Sequence, residues 1–108
     1  MNKTPLLKIL GDIQFPPGRV VIHPNDGADL NLFQYSYPIK LYTGLTVPEF
    51  QEALKPGSTR EYVPGELIQS NDCKMGTVEL PLKLCTHLGN PSNAILIYHD
   101  GSLMLAVK

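Results

Sequence analysis

The sequence predicts a mainly β fold: a small β-barrel-like domain with two short helices and a C-terminal β-hairpin. Three observations point there. Short apolar runs alternate with turn residues, ten prolines and nine glycines among 108 residues, and the runs are too hydrophobic for a disordered chain. Two apolar runs flank Asp100-Gly101, and Asp-Gly supplies the two positive-φ positions of a type I′ hairpin turn. Only two stretches, from Thr46 and from Pro81, carry helix start-and-stop chemistry.

The elements follow in order. Leu6–Leu10 and Ile13–Phe15 read as one strand interrupted at Gly11-Asp12. Pro16-Pro17-Gly18 is a type II turn signal, followed by a β-branched strand over Arg19–His23. Pro24-Asn25-Asp26-Gly27 reads as a turn. Leu30–Tyr35 and Ile39–Tyr42 read as strands separated at Tyr37-Pro38. Thr46-Val-Pro-Glu49 has capping-box form, with Val47, Phe50 and Leu54 on one helical face, and Lys55-Pro56-Gly57 stops that helix. Ser58–Asp72 reads as a connection holding a short strand at Glu66–Gln69. Gly76–Leu80 is the next strand. Pro81 opens a second helix with Leu84 and Leu88 as its apolar stripe, and Gly89 supplies the left-handed exit. Asn90-Pro91-Ser92-Asn93 turns into the hairpin.

In that hairpin His99 pairs with Ser102, Tyr98 with Leu103, Ile97 with Met104 and Ile95 with Ala106. One face carries Ile95, Ile97, Met104 and Ala106, and the other Leu96, Tyr98, Leu103, Leu105 and Val107. A ribbon apolar on both faces must be covered twice, inside a barrel or against a second subunit.

The length fits one domain, residues 1–108. Gly18-Arg-Val-Val-Ile-His-Pro24 and Gly76-Thr-Val-Glu-Leu-Pro81 echo each other and suggest half-repeats over 6–57 and 66–108. The second half resembles the AbrB-like swapped-hairpin domains, including MraZ-type regulators, in its strand beginning at Gly76, its proline-led helix from Pro81, its Leu88-Gly89 exit and its closing hairpin. Ile39–Tyr42 followed by Thr46–Leu54 resembles the end of the first MraZ half. The resemblance implies a related fold and, through Arg19, Lys74 and Lys83, contact with DNA. The family's Asp-x-x-x-Arg signature is not met: Asp12 and Arg19 are too far apart, and Thr77 stands where the second arginine would be.

The net charge of −1 and the scatter of cations among acids disfavour a DNA partner and permit self-association. Cys73 and Cys85 read as reduced, packed thiols of a cytoplasmic protein, or of a virion component if the chain is phage-encoded. The apolar stretch near Met1 is broken by Lys8 and Gly11, so no membrane partner is expected. His23, His87 and His99 are dispersed and Cys85-Thr-His87 lacks ligand spacing, so neither metal nor other cofactor is expected. Asn25-Asp-Gly-Ala-Asp-Leu-Asn31 lacks the order of a calcium loop. No nucleophile elbow, phosphate loop or His-Glu-x-x-His motif is present, and no catalytic residue is assigned.

The expectation is a non-enzymatic binding or assembly protein (a regulator, an inhibitor or a phage-type structural component) acting as a homo-oligomer or on another protein. Tyr35, Tyr37, Tyr42, Tyr98, Leu103 and Leu105 are its expected contact residues, since aromatics give rigid contact area at low entropic cost. The alternatives are an AbrB-like DNA-binding regulator or antitoxin, and a small enzyme with an active site between subunits.

Overall fold

A computed structural model describes residues 1–108. The chain forms β1 (Asn2–Lys3), β2 (Leu7–Asp12), β3 (Arg19–Ile22), α1 (Pro24–Asp29), β4 (Ser36–Thr43), α2 (Val47–Ala53), β5 (Val63–Gln69), β6 (Thr77–Pro81), α3 (Leu82–His87), β7 (Asn93–His99) and β8 (Ser102–Val107). The strands are ordered β1-β7-β2-β6-β3-β5-β4-β8, and β8 pairs back onto β7. β2 to β8 therefore close a seven-stranded barrel, while β1 extends the β2 edge of β7. Closure leaves no long unpaired edge. No helix is long and apolar enough to cross a membrane.

Three strand pairs are parallel: β2 with β6, β3 with β5 and β4 with β8. Their registers reveal an internal two-fold order. Lys8 faces Thr77 as Glu66 faces Arg19, Gly18 precedes β3 as Gly76 precedes β6, and α1 follows β3 as α3 follows β6. Corresponding residues lie 58 positions apart from Lys8/Glu66 through Leu30/Leu88. Pro24 thus corresponds to Leu82, and His23 to Pro81. The two prolines equated in the sequence echo hold different positions: Pro24 is the first helical residue and Pro81 the residue before its helix.

The barrel interior holds one cluster that includes Leu7, Val20, Ile22, Leu41, Leu67, Leu80, Leu96, Leu103 and Leu105. The hairpin register is as read from the sequence, with Asp100 and Gly101 both at positive φ. Its inner face joins the interior cluster. Its outer face, with Ile97 and Met104, packs under Phe50 and Ala53 of α2 and against Tyr42. Both covers come from the same chain, so the hairpin does not itself require a second subunit. Burying Phe50, with none of its surface exposed, contributes about 3 kcal/mol, and it anchors a helix of 7 residues that would not persist alone. The capping box at Thr46 and Glu49 is formed.

Four readings are corrected. β2 runs through Gly11 without a break, and Ile13–Phe15 lies beyond it in the turn. Residues 24–29 form a helix, because Pro24 takes the first position and the His23 ring accepts from Asn25 N at 3.0 Å. Residues 30–35 form no strand, and β4 instead crosses Tyr37-Pro38 unbroken. Gln69 N donates to Tyr35 O and Lys40 N to Gly101 O, so even-numbered residues of β4 turn their amides away from β5. Pro38 sits there before β8 begins, and its missing amide costs no ladder bond. Finally, β5 begins at Val63: Pro64-Gly65 lies inside it because Gly18 crosses it closely. A Cβ on Gly65 would lie 2.0 Å from Gly18 O.

Candidate binding sites at the two ends of the barrel

β2, β4, β6 and β8 run toward one end of the barrel and β3, β5 and β7 toward the other. The seven intervals of β4 separate the ends by roughly 23 Å. Each end carries one feature that the fold alone does not demand.

The first is the loop between α1 and β4. Its backbone is held at several points. Leu32 N donates to Gly27 O, and the Tyr37 hydroxyl accepts from Phe33 N and Gln34 N at 3.0 and 2.9 Å. The buried Gln69 amide donates to Leu32 O and Gln34 O, both at 3.0 Å. Asn2 Nδ2 reaches Leu30 O, and Asn31 takes φ 61° to turn the chain. The loop is held from below while Phe33 and Tyr35 project from it, 76% and 72% exposed.

The second is a cavity of about 620 Å³ at the opposite end. It opens between the β2–β3 loop, which contributes Ile13, Phe15 and Pro17, and α3, which contributes Leu82, Lys83 and Leu84, with Leu41 of the barrel interior among its lining. Gly18, Thr43, Val63, Pro81 and Thr86 complete the lining. Ile13 is 82% exposed beside it. The cavity lies where β3 and β6 part: Val21 pairs with Glu79 and Ile22 with Val78, but Leu80 and Pro81 have no partner on β3.

The six expected contact residues divide. Tyr35 is free. Tyr37 and Tyr98 are half-buried, stack edge-on at 6.4 Å, and use their hydroxyls internally, Tyr98 accepting from Gly101 N. Tyr42 is buried against Phe50. Leu103 and Leu105 lie in the barrel interior and are unavailable to a partner, because they face the inner side of the hairpin. Phe33 was missed. It fell in a stretch misread as a strand, and a Phe in a strand gives no sign of exposure.

Arg19 and Lys83 lie at the cavity end, Arg19 with its guanidinium over the Phe15 ring at 5.7 Å. Lys74 precedes β6 at the other end, so the three cations expected to touch DNA do not share one face. His23 caps α1, while His87 and His99 are exposed. No group of three or more His, Cys, Asp or Glu side chains is placed to hold a metal ion. Both cysteines are free and buried. Burial, with Glu79 and Asp26 nearby, pushes the Cys73 thiol up to about 12, and burial also raises Cys85. Neither is poised as a thiolate nucleophile. The Glu49 carboxyl is held below its ordinary value by the Thr46 amide and hydroxyl, with Arg60 adding to it.

Compared with known proteins, the chain matches no family model, no curated protein and no solved structure.

Proposed function

We propose that this chain is a non-enzymatic binding or assembly protein that makes protein–protein contacts through the Asn31–Tyr35 loop, with a second copy of itself as the first partner. The observation that supports this most is the way the loop is built. A buried glutamine and a tyrosine hydroxyl fix its backbone, yet its two largest apolar side chains stay in water. Rigid, exposed aromatics lose little entropy on docking and are favoured anchors of interfaces. The chain's net charge of −1 opposes self-association only weakly.

Light scattering on the purified chain over a wide concentration range tests the reading. The expected result is an assembly larger than one chain that the double variant Phe33→Ser, Tyr35→Ser converts to monomer with little change in thermal stability. A wild-type chain that stays monomeric throughout, or a variant that associates equally well, overturns it. A gel shift on duplex DNA belongs beside it: salt-sensitive retardation with a monomeric chain would favour the DNA-binding regulator instead.

A further inference from the structure

We propose that the cavity between the β2–β3 loop and α3 binds a free single-chain anionic amphiphile, its hydrocarbon tail in the cavity and its carboxylate at Lys83. The volume of about 620 Å³ lies within the range of roughly 300–1,000 Å³ typical of small-molecule sites. The lining is largely apolar, and its floor reaches Leu41, which is 2% exposed and belongs to the barrel interior. Such depth suits a flexible tail rather than the flat side of a helix or sheet.

Charge identifies the head group. Lys83 is the one charged side chain that lines the cavity, and no carboxylate lines it. Arg19 stands next to it over Phe15. The two ion pairs of the molecule are Lys55–Glu52 and Arg60–Glu49, so neither Lys83 nor Arg19 is ion-paired; Glu66, the strand neighbour of Arg19, accepts from Ser36 Oγ at 3.2 Å instead. The nearest acid in sequence to the β2–β3 loop, Asp12, turns its carboxylate onto Gln14 N at 2.8 Å. In a chain of net charge −1, this rim is locally cationic around an apolar cavity. An ammonium beside apolar walls attracts an anion more strongly than it would in bulk water, and the Thr43 and Thr86 hydroxyls offer further donors to a carboxylate.

Titration with sodium decanoate below its micelle concentration, followed by amide and methyl NMR shifts, tests the proposal. Saturable shifts are expected at Ile13, Leu82 and Leu84 and not at Phe33 or Tyr35. Decyltrimethylammonium should bind at least about tenfold more weakly, and Lys83→Glu should weaken decanoate by about tenfold or more while Lys83→Arg retains it. Leu84→Asp, which sets a carboxylate in the cavity, should abolish decanoate binding while the chain stays folded by circular dichroism. Equal affinity for the cationic and anionic amphiphiles, shifts confined to the aromatic loop, or no saturation would overturn the proposal. So would binding to phosphatidylglycerol vesicles without binding of decanoate, which would identify a membrane surface instead.

Discussion

At the end of β3 and at the end of β6 the chain makes the same move. A strand that follows a glycine passes directly into a six-residue helix, and that helix exits through a leucine at the same relative position. The two junctions differ in what fills them. After β3, the small residue is on the helix and the large one on the neighbouring strand: Gly27 of α1 lies under the side chain of Gln69. After β6 the sizes are exchanged, with Gly11 on β2 lying under Leu82 and Cys85 of α3. The ties differ as well. Asp26 is buried and accepts from Gly76 N at 2.9 Å, binding α1 to the loop before β6. Its counterpart in α3 is Leu84, which can make no such bond. One junction is therefore stitched shut by polar groups, and the other stands open as the apolar cavity. The same strand–helix order and helix length give a rigid platform at one end and a concavity at the other, and a few side chains decide which.

The largest expected effect comes from breaking the stitching. Gln69→Leu keeps the volume but removes both donors to Leu32 O and Gln34 O, leaving acceptors unpaired in a buried or half-buried place. A loss of about 3 kcal/mol in urea denaturation is expected, with faster amide exchange at Phe33 and Gln34. A loss below about 1 kcal/mol would show that the aromatic loop is not held from below, and the contrast between the ends would weaken with it.

These side chains also mark how far the sequence could be read. The hairpin and α2 were legible because their signals are local. Asp100-Gly101 needs two positive-φ residues and gets them, and Thr46 and Glu49 cap each other three residues apart. Helix α1 was not legible because Asn-Asp-Gly is turn chemistry; a histidine cap at His23 is an unusual start signal, and the tertiary ties of Asp26 to Gly76 and Gly27 to Gln69 add to it. β5 was cut short because Pro64-Gly65 reads as a break; the glycine is there for the crossing with Gly18. Ring closure through β4 and β8 is a parallel pairing between residues some sixty positions apart, which no local pattern encodes. The cavity was the least visible of all, since it exists because Leu84 stands where the other half has Asp26. Placing Gly18 over Gly76 and carrying that alignment past the strands sets Pro24–Asp29 against the better-marked helix α3, the one sequence signal that could have recovered α1.

A smaller effect separates the ends by pH. Cys73 lies in the loop that the Asp26 bond ties down, and its neighbours are the carbonyls of Val21, Lys74 and Thr77. Burial, aided by Glu79, raises its pKa from an ordinary 9.0 to about 12. Between those values the unfolded chain releases the thiol proton and the folded chain retains it, so the unfolded state binds fewer protons and stability falls as pH rises. Below 9.0 both states are protonated and the effect vanishes. Urea midpoints measured between about pH 7 and about pH 10 should therefore decline more steeply for the wild type than for Cys73→Val. Equal slopes would mean that this loop opens freely to hydroxide.

The smallest effect is expected at Gly11 when the same methyl group is added at each junction, and the pair isolates what open and closed mean. At Gly27 a Cβ would lie 2.0 Å from Gln69 Oε1. That amide is pinned by its two hydrogen bonds, so Gly27→Ala must break them or shift α1, at a cost of about 2 kcal/mol. At Gly11 the nearest atom is Leu82 Cδ1 at 2.8 Å, with Cys85 Sγ and Leu82 Cα at 3.4 Å. The Leu82 side chain is 40% exposed and borders the cavity, so it has somewhere to turn. Its rotation costs about 0.5 kcal/mol, and replacing a strand glycine returns a similar amount by restricting the unfolded chain. Gly11→Ala should leave the urea midpoint nearly unchanged while Leu82 narrows the cavity. A Gly11 variant as damaged as the Gly27 variant would mean that the helix–strand contact at α3 is as tightly packed as its counterpart, and that the cavity offers its own walls no room to move.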